Sequence, residues 1–436
     1  MSALGQESAS SEEKVEVVTF GCRLNMVESQ TIRHLAGQGG QANLVVVNTC
    51  AVTAESTRQA RQTIRRLKRE RPEARIVVTG CAAQIEPDSF AAMPEVAHVM
   101  GNAEKTRATS WDFFAARKNV AAIAEAVRHG NAASPLLAAI EGHTRAFLSL
   151  QNGCDHSCTF CVIPAGRGPS RSAPTDTVVA QARKFVETGH KELVLTGVDL
   201  TSWGADLPGA PKLGQLVRLL LRELPELPRL RLSSVDCIEA DADLIAAFAE
   251  EERLAPYLHL SLQSGDDLIL KRMKRRHSRL DSVEFCTTLR RLRPDMAFGA
   301  DLIAGFPTED EAMAARTRDL IEECGLSFLH VFPFSPRPET PAARMPQLPS
   351  AVIKQRAANL RATGELALER HLQRQVGRRL RILTERGGMG RADDFTAVRT
   401  PGLPPGLMFE AEAVGFTKGA LDVTSDSSLI EKSSAR

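Results

Sequence analysis

The chain's 436 residues suffice for two or three domains with separate cores, and 43% hydrophobic and 25% charged residues suit a soluble globular protein. No apolar run approaches a membrane span, and Met1-Ser-Ala-Leu-Gly-Gln-Glu lacks the basic and apolar regions of a signal peptide. Nine cysteines in so long a chain argue against a secreted disulfide scaffold and for a reducing cytoplasm, and a net charge of +2 confines any nucleic-acid affinity to local basic patches.

In chain order, residues 1–13 are small, polar and acidic, and read as a disordered tail. Three similar units follow. Val15-Glu-Val-Val-Thr-Phe20 runs into Gly21-Cys22, Leu44-Val-Val-Val-Asn48 into Thr49-Cys50, and Arg75-Ile-Val-Val-Thr79 into Gly80-Cys81. Each is a short β-branched run typical of a buried parallel strand, with helical sequence between, which makes a small parallel α/β sheet. Ligands of such sheets collect beyond the carboxyl ends of the strands, so the topology gathers Cys22, Cys50 and Cys81 at one edge as a three-thiol metal site. The plainer alternative is three cysteines filling small core positions. Between two of these strands Thr53–Glu73 forms a strongly basic helix, either a solvated outer face or a phosphate-contacting surface. Residues 104–130 read as helix and loop, and 131–143 as a linker.

From Arg145 the pattern becomes a regular alternation of strand and helix. Strands are expected at Ala146–Gln151, Glu192–Thr196, Arg229–Ser233, Tyr257–Leu262, Ala297–Ile303 and Phe328–Phe332. Helices are expected near Asp176–Thr188, Leu213–Leu224, Asp241–Glu250, Leu280–Arg291 and Glu309–Glu323. Six such units imply an open, partial parallel barrel whose strand ends form the active face. After the first strand comes Gly153-Cys-Asp-His-Ser-Cys-Thr-Phe-Cys161, with Cys154, Cys158 and Cys161 spaced C-x-x-x-C-x-x-C. Three thiolates this close can hold one polynuclear iron–sulfur cluster and leave one iron open to a substrate or cofactor. A zinc knuckle, a redox dithiol and incidental cysteines are the competing readings, although structural zinc normally takes four protein ligands.

Ala351–Gly377 reads as one helix after a proline-dense segment, Phe332-Pro-Phe-Ser-Pro-Arg-Pro-Glu-Thr-Pro341. Short strands at Arg379–Glu385, Phe395–Arg399, Met408–Phe416 and Ala420–Val423 then suggest a small β-barrel or sandwich of the kind appended for nucleic-acid binding. Arg374, Arg378, Arg379, Arg381, Arg386 and Arg391 gather at its start, and the Ser-rich end reads as disordered.

The loop triplet, with Phe160 before its last cysteine, resembles the signature of the radical S-adenosylmethionine (SAM) enzymes. The order of the three parts resembles the methylthiotransferases of that class over nearly the whole chain. Their motifs are matched by T-F-G-C-R-L-N, N-T-C-A-V-T and T-G-C-A-A-Q around the N-terminal cysteines. The resemblance implies an N-terminal domain over residues 14–130 with an auxiliary 4Fe–4S cluster on Cys22, Cys50 and Cys81. It further implies a radical SAM core over 144–370 with a SAM-cleaving 4Fe–4S cluster on Cys154, Cys158 and Cys161, and an RNA-binding TRAM barrel over 371–432. Ser261-Leu-Gln-Ser-Gly265 and Ala304-Gly-Phe-Pro-Thr-Glu309 resemble the family's SAM-side segments, which makes Gln263, Ser264 and Gly305 candidate cofactor contacts. Thr196-Gly-Val-Asp199 stands where many radical SAM enzymes carry a glycine doublet with Glu, a departure at the methionine end of SAM. Cys286 and Cys324 fall in helices as core or surface positions, and Cys237 follows a strand end.

The implied activity is methylthiolation. A 5′-deoxyadenosyl radical takes hydrogen from C2 of a modified adenine, sulfur comes from the auxiliary cluster, and a second SAM gives the methyl group. No conventional nucleophile or other catalytic side chain is required. Gly21-Cys-Arg-Leu-Asn25 is closest to the G-C-K-V-N or G-C-K-L-N of the branch acting on N6-threonylcarbamoyladenosine beside the tRNA anticodon. The other branches act on isopentenyladenosine or on an aspartate of a ribosomal protein. Implied partners are tRNA, a sulfur donor and an electron donor such as a flavodoxin or ferredoxin, for a cytoplasmic monomer without a membrane. A radical SAM enzyme of another reaction type and a non-enzymatic RNA-binding iron–sulfur protein are the rival readings. The first leaves the N-terminal cysteines without work, and the second leaves the barrel without work.

Overall fold

The computed structural model describes residues 15–38, 43–112 and 144–424. The expected tail at 1–13, the linker at 131–143 and the Ser-rich end lie outside the described residues. The chain forms two compact units. One comprises residues 15–112 with Gln151–Ser172 and Ser335–Ala343, and the other residues 144–150, Ala173–Phe334 and 344–424.

The first unit is built on a four-stranded sheet of Val15–Thr19, Leu44–Thr49, Arg75–Gly80 and Val96–Val99, all parallel and in sequence order. Val45, Val46, Val47, Val77 and Val78 are at most 1% exposed because apolar groups cover both faces of the central strands. The basic helix is Ala54–Glu70. The Thr53 hydroxyl accepts from the Ser56 N–H, Glu55 lies in the first turn, and Lys68 and Arg69 lie in the last, complementing the helix dipole at both ends. Its Thr57, Ala60, Ile64 and Leu67 are buried, and Arg65, Arg66, Arg69 and Arg71 face water.

The second unit carries six parallel strands in sequence order. Arg145–Ser149, Glu192–Thr196 and Arg229–Leu232 form one ladder, and Ser234–Val235, Tyr257–Gln263, Ala297–Ala304 and Leu326–Pro333 form the next. The third strand changes partner across Ser233, which joins the two ladders into an open barrel. Helices Thr175–Glu187, Leu213–Glu223, Ala242–Glu250, Arg279–Leu292 and Glu311–Glu323 fall where the periodicity places them. An additional short helix, Asp267–Arg272, is capped by the Asp266 carboxylate on the Ile269 N–H.

Helix Ser350–Gln375 leads into a closed five-stranded barrel of Arg379–Glu385, Met389–Ala392, Ala397–Arg399, Met408–Thr417 and Ala420–Val423. This barrel is bolted to the parallel strands beside it. Arg229 and Arg231, both at most 1% exposed, share the buried Glu192 carboxylate. The same two arginines reach the Asp393 carboxylate and the carbonyls of residues 391–393. Phe395 stacks on Tyr257 with ring centroids 4.7 Å apart. No described helix is long and apolar enough to cross a membrane.

Candidate functional site

Both cysteine triplets belong to the first compact unit. Cys22 follows the first strand, Cys50 the second, and Cys81 opens the short helix Cys81–Ile85 after the third. Gly21 is what lets the first two meet: it has φ +91°, and a Cβ there would lie 2.5 Å from the Cys50 Sγ. The motif polar residues tie the strand ends together. Asn25 Nδ2 donates to the Phe20 and Thr49 carbonyls at 2.7 and 3.0 Å. Asn48 Nδ2 donates to the Asn25 carbonyl at 3.0 Å, and Thr49 Oγ1 to the Thr79 carbonyl at 2.6 Å. Cys50 and Cys81 are buried and Cys22 is exposed. Burial pushes the Cys50 thiol up to about 12, with charge on Cys22 and Cys81 adding to the shift.

A buried ionic knot lies behind these thiols. Glu28 accepts from Lys105 Nζ at 2.6 Å and from Arg167 Nη1 at 2.8 Å, and all three side chains are at most 2% exposed. Burial opposes ionisation of Glu28, but the two cations hold its carboxyl at about 2. Burial equally opposes the Arg167 charge, yet negative charge on Cys81, Glu28 and Cys22 holds that guanidinium well above its ordinary range. Burial, with the neighbouring Arg167 charge, pushes the Lys105 ammonium below its ordinary range, because one carboxylate offsets two buried cations only in part. Thiolates of an anionic iron–sulfur cluster at this position would supply negative charge there, so the residues present fit such a cluster.

The second triplet sits on a loop closed at its base by the antiparallel pair Gln151–Asn152 and Arg171–Ser172. Gly153 has φ +78°, and a Cβ there would stand 1.9 Å from the Pro169 carbonyl oxygen. The Cys154 N–H donates to the Gly168 carbonyl at 3.1 Å, the Cys161 N–H to the Cys158 carbonyl at 3.1 Å, and the Ile163 N–H to the Cys161 Sγ at 3.4 Å. Cys154, Cys158 and Cys161 are all half-buried. From this loop the turn Ile163–Arg167 packs straight back on the first triplet. A Cβ on Gly166 would sit 3.3 Å from Cys81 Cβ, and Asn102 Nδ2 donates to the Gly166 carbonyl at 2.6 Å.

In the second unit, Gln263 ends the fourth barrel strand with φ +71° and is half-buried. Ser264 is buried, with its hydroxyl 3.2 Å from Thr317 Oγ1 and accepting from the Asp266 N–H. Gly305 ends the fifth strand with φ +73° and packs on Ile353. Cys237, Cys286 and Cys324 are buried. A constellation that residue spacing does not announce lies on the next strands: His259 Nε2 is 2.9 Å and His330 Nδ1 3.1 Å from the same Asp301 carboxylate oxygen. Glu28, Lys105 and Arg167 were also not signalled by the sequence, since they are separated by up to 139 residues and resemble ordinary surface charges there.

The open six-strand barrel and its cysteine loop define the radical SAM class, and the family model described as "Radical SAM superfamily" matches residues 148–321. A second model, "Uncharacterized protein family UPF0004", matches residues 14–101, the N-terminal sheet and its three cysteines. The "Threonylcarbamoyladenosine tRNA methylthiotransferase MtaB" of Rickettsia prowazekii is 46% identical over 93% of this chain and 96% of its own length. The protein of the same name from Aquifex aeolicus is 35% identical over 85% of this chain and 92% of its own. A "tRNA-2-methylthio-N(6)-dimethylallyladenosine synthase" from Cereibacter sphaeroides is 34% identical over 91% and 95% respectively. The chain belongs to the methylthiotransferase family of radical SAM enzymes. Its cofactors are SAM and two 4Fe–4S clusters.

Proposed function

We propose that this enzyme converts N6-threonylcarbamoyladenosine at position 37 of tRNA, beside the anticodon, to its 2-methylthio derivative. The observation that carries the substrate is the identity to one relative, since the Aquifex aeolicus protein of the same name, at 35%, stands level with the dimethylallyl-type protein. The threonylcarbamoyl-type protein of Rickettsia prowazekii reaches 46%, against 34% for the dimethylallyl-type protein of Cereibacter sphaeroides at similar coverage. Gly21-Cys-Arg-Leu-Asn25 supports the same branch.

In this reading Cys154, Cys158 and Cys161 hold the SAM-cleaving cluster, and Cys22, Cys50 and Cys81 the auxiliary cluster. When bound, the clusters and SAM supply the radical, the sulfur and the methyl group. The protein's part is placement and exclusion. The half-buried loop thiols leave their cluster approachable by SAM, and Gln263, Ser264 and Gly305 are the proposed SAM contacts. Burial of Cys50 and Cys81 shields the sulfur-donating cluster from water. Residues 14–130 serve the auxiliary cluster, 144–370 the SAM chemistry and 371–432 RNA binding, in a cytoplasmic setting. Exposed Arg65, Arg66 and Arg69 give a phosphate-contacting surface on the first unit. Mass spectrometry of tRNA nucleosides from a deletion strain tests the substrate. Loss of 2-methylthio-threonylcarbamoyladenosine with accumulation of its unthiolated precursor is expected. Loss of the isopentenyl counterpart instead overturns the assignment.

A further inference from the structure

We infer that Arg167 is a positioning residue shared by the two cysteine triplets, clamping the auxiliary site to the base of the SAM-cluster loop and, with Lys105, giving the auxiliary site its surplus positive charge. The inference rests on the two-cluster reading above.

The clamp is visible bond by bond. Arg167 Nη2 donates to Asn25 Oδ1 at 2.6 Å and to Glu28 Oε2 at 3.1 Å, and Nη1 donates to Glu28 Oε1 at 2.8 Å. Asn25 is itself the residue that holds the ends of the first and second strands together. From the same guanidinium, Nη1 also donates to Asn152 Oδ1 at 2.9 Å, and that amide oxygen accepts the Gly153 N–H at 2.9 Å. One planar group therefore touches the helix after Cys22 and the residue pair before Cys154. A planar fork with five donors can do this and a lysine cannot. Arg167 is the last residue of the turn that begins two residues after Cys161, so its backbone also fixes where that loop leaves.

The charge argument is separate from the clamp. Glu28 needs one cation, and two basic side chains face it, the Lys105 ammonium at a cost that burial and the Arg167 charge impose. A second buried cation is costly unless something anionic lies nearby, and the three thiols beside Arg167 are the anionic candidates. Removing either cation leaves Glu28 with one partner, so each single variant keeps a neutral buried pair. What each variant loses is the charge that favours adding an electron to the auxiliary cluster.

The experiment uses anaerobically reconstituted full-length enzyme. In a background with Cys154, Cys158 and Cys161 replaced by Ala, only the auxiliary cluster is present and its midpoint potential can be titrated by paramagnetic resonance. Arg167→Met and Lys105→Met should each shift that potential to more negative values, and Arg167→Lys should return it toward wild type. With all six cysteines present, Arg167→Met and Arg167→Lys should both raise deoxyadenosine released per methylthiolated nucleoside by about tenfold or more, because neither restores the clamp. If Arg167→Met fails to assemble the auxiliary cluster, Lys105→Met, which leaves the clamp intact, must still give the negative shift. An unchanged potential in Lys105→Met or in a cluster-loaded Arg167→Met overturns the charge role. An unchanged product ratio in Arg167→Lys overturns the clamp. Wild-type enzyme that binds about four irons instead of about eight removes the two-cluster reading itself, and so separates that failure from the other two.

Discussion

The two cysteine triplets are assembled by opposite routes. Cys154, Cys158 and Cys161 are neighbours in sequence, half-buried, and held by backbone hydrogen bonds within one loop. Cys22, Cys50 and Cys81 are neighbours only because three parallel strands end side by side, and two of them are buried. The loop site can be read from spacing and is half exposed, as the approach of SAM in the proposed function requires. The strand-end site depends on topology, on packing and on a buried charge balance from Glu28, Lys105 and Arg167. A local site should fail locally. A topological one should fail together with the sheet that makes it.

The largest expected effect breaks the loop site. Replacing any of Cys154, Cys158 or Cys161 with Ala should abolish deoxyadenosine formation from SAM, and everything downstream, with little change in melting temperature. Residual SAM cleavage at more than background would remove that triplet from the chemistry. Next come the two glycines that shape the sites. Gly21→Ala and Gly153→Ala both place a side chain at positive φ against close neighbours, at about 1–3 kcal/mol for the backbone alone. Gly21→Ala should lower auxiliary-cluster occupancy and the sheet's stability together, whereas Gly153→Ala should cost SAM cleavage first. Iron analysis with thermal melting checks both, and identical profiles would contradict the contrast.

An effect of comparable or smaller size is expected from pH, where Glu28 gives the strand-end site its own contribution. Glu28 titrates at about 2 in the fold against a usual 4.5, so its ionisation stabilises the folded state fully above the usual value. That contribution, on the order of 3 kcal/mol at most, is lost as pH falls through the folded value. Denaturation of cluster-free protein between the two values should steepen with acid, and Glu28→Gln should flatten the dependence. Equal slopes would show the knot to be energetically idle. The smallest effect concerns RNA. Arg65→Glu with Arg69→Glu should weaken tRNA binding and reduce the slope of log affinity against log salt by about one for each phosphate left without its arginine, without touching SAM cleavage.

How much of this is legible before folding follows the same divide. Valine-rich runs ending in cysteine specify three strands of the first sheet, but Val96-Ala-His-Val99 is too short to announce the fourth. Met389-Gly-Arg-Ala392 carries little strand propensity and is a strand because its barrel neighbours pair with it. The arginines gathered at the start of that barrel show no partners in the sequence, and the fold pairs Arg379 with Glu410 and Arg381 with Asp393 at 2.7 and 2.8 Å. Nor is the barrel a removable tail: cutting the chain at His371 would expose Arg229 and Arg231 and sever the helix Ser350–Gln375. Charge substitutions therefore test RNA binding more cleanly than truncation. Packing of the loop Gln151–Ser172 with the N-terminal sheet is likewise invisible in chain order, because the hydrogen bonds of Arg167 span 139 to 142 residues.

The division of labour between the triplets is tested most directly by replacing Cys22, Cys50 and Cys81 together with Ala in reconstituted enzyme. Iron should fall by half, deoxyadenosine should still be released from SAM, and methylthiolated nucleoside should vanish. Full iron content together with normal product would contradict the assignment of the sulfur-delivering cluster to the strand ends.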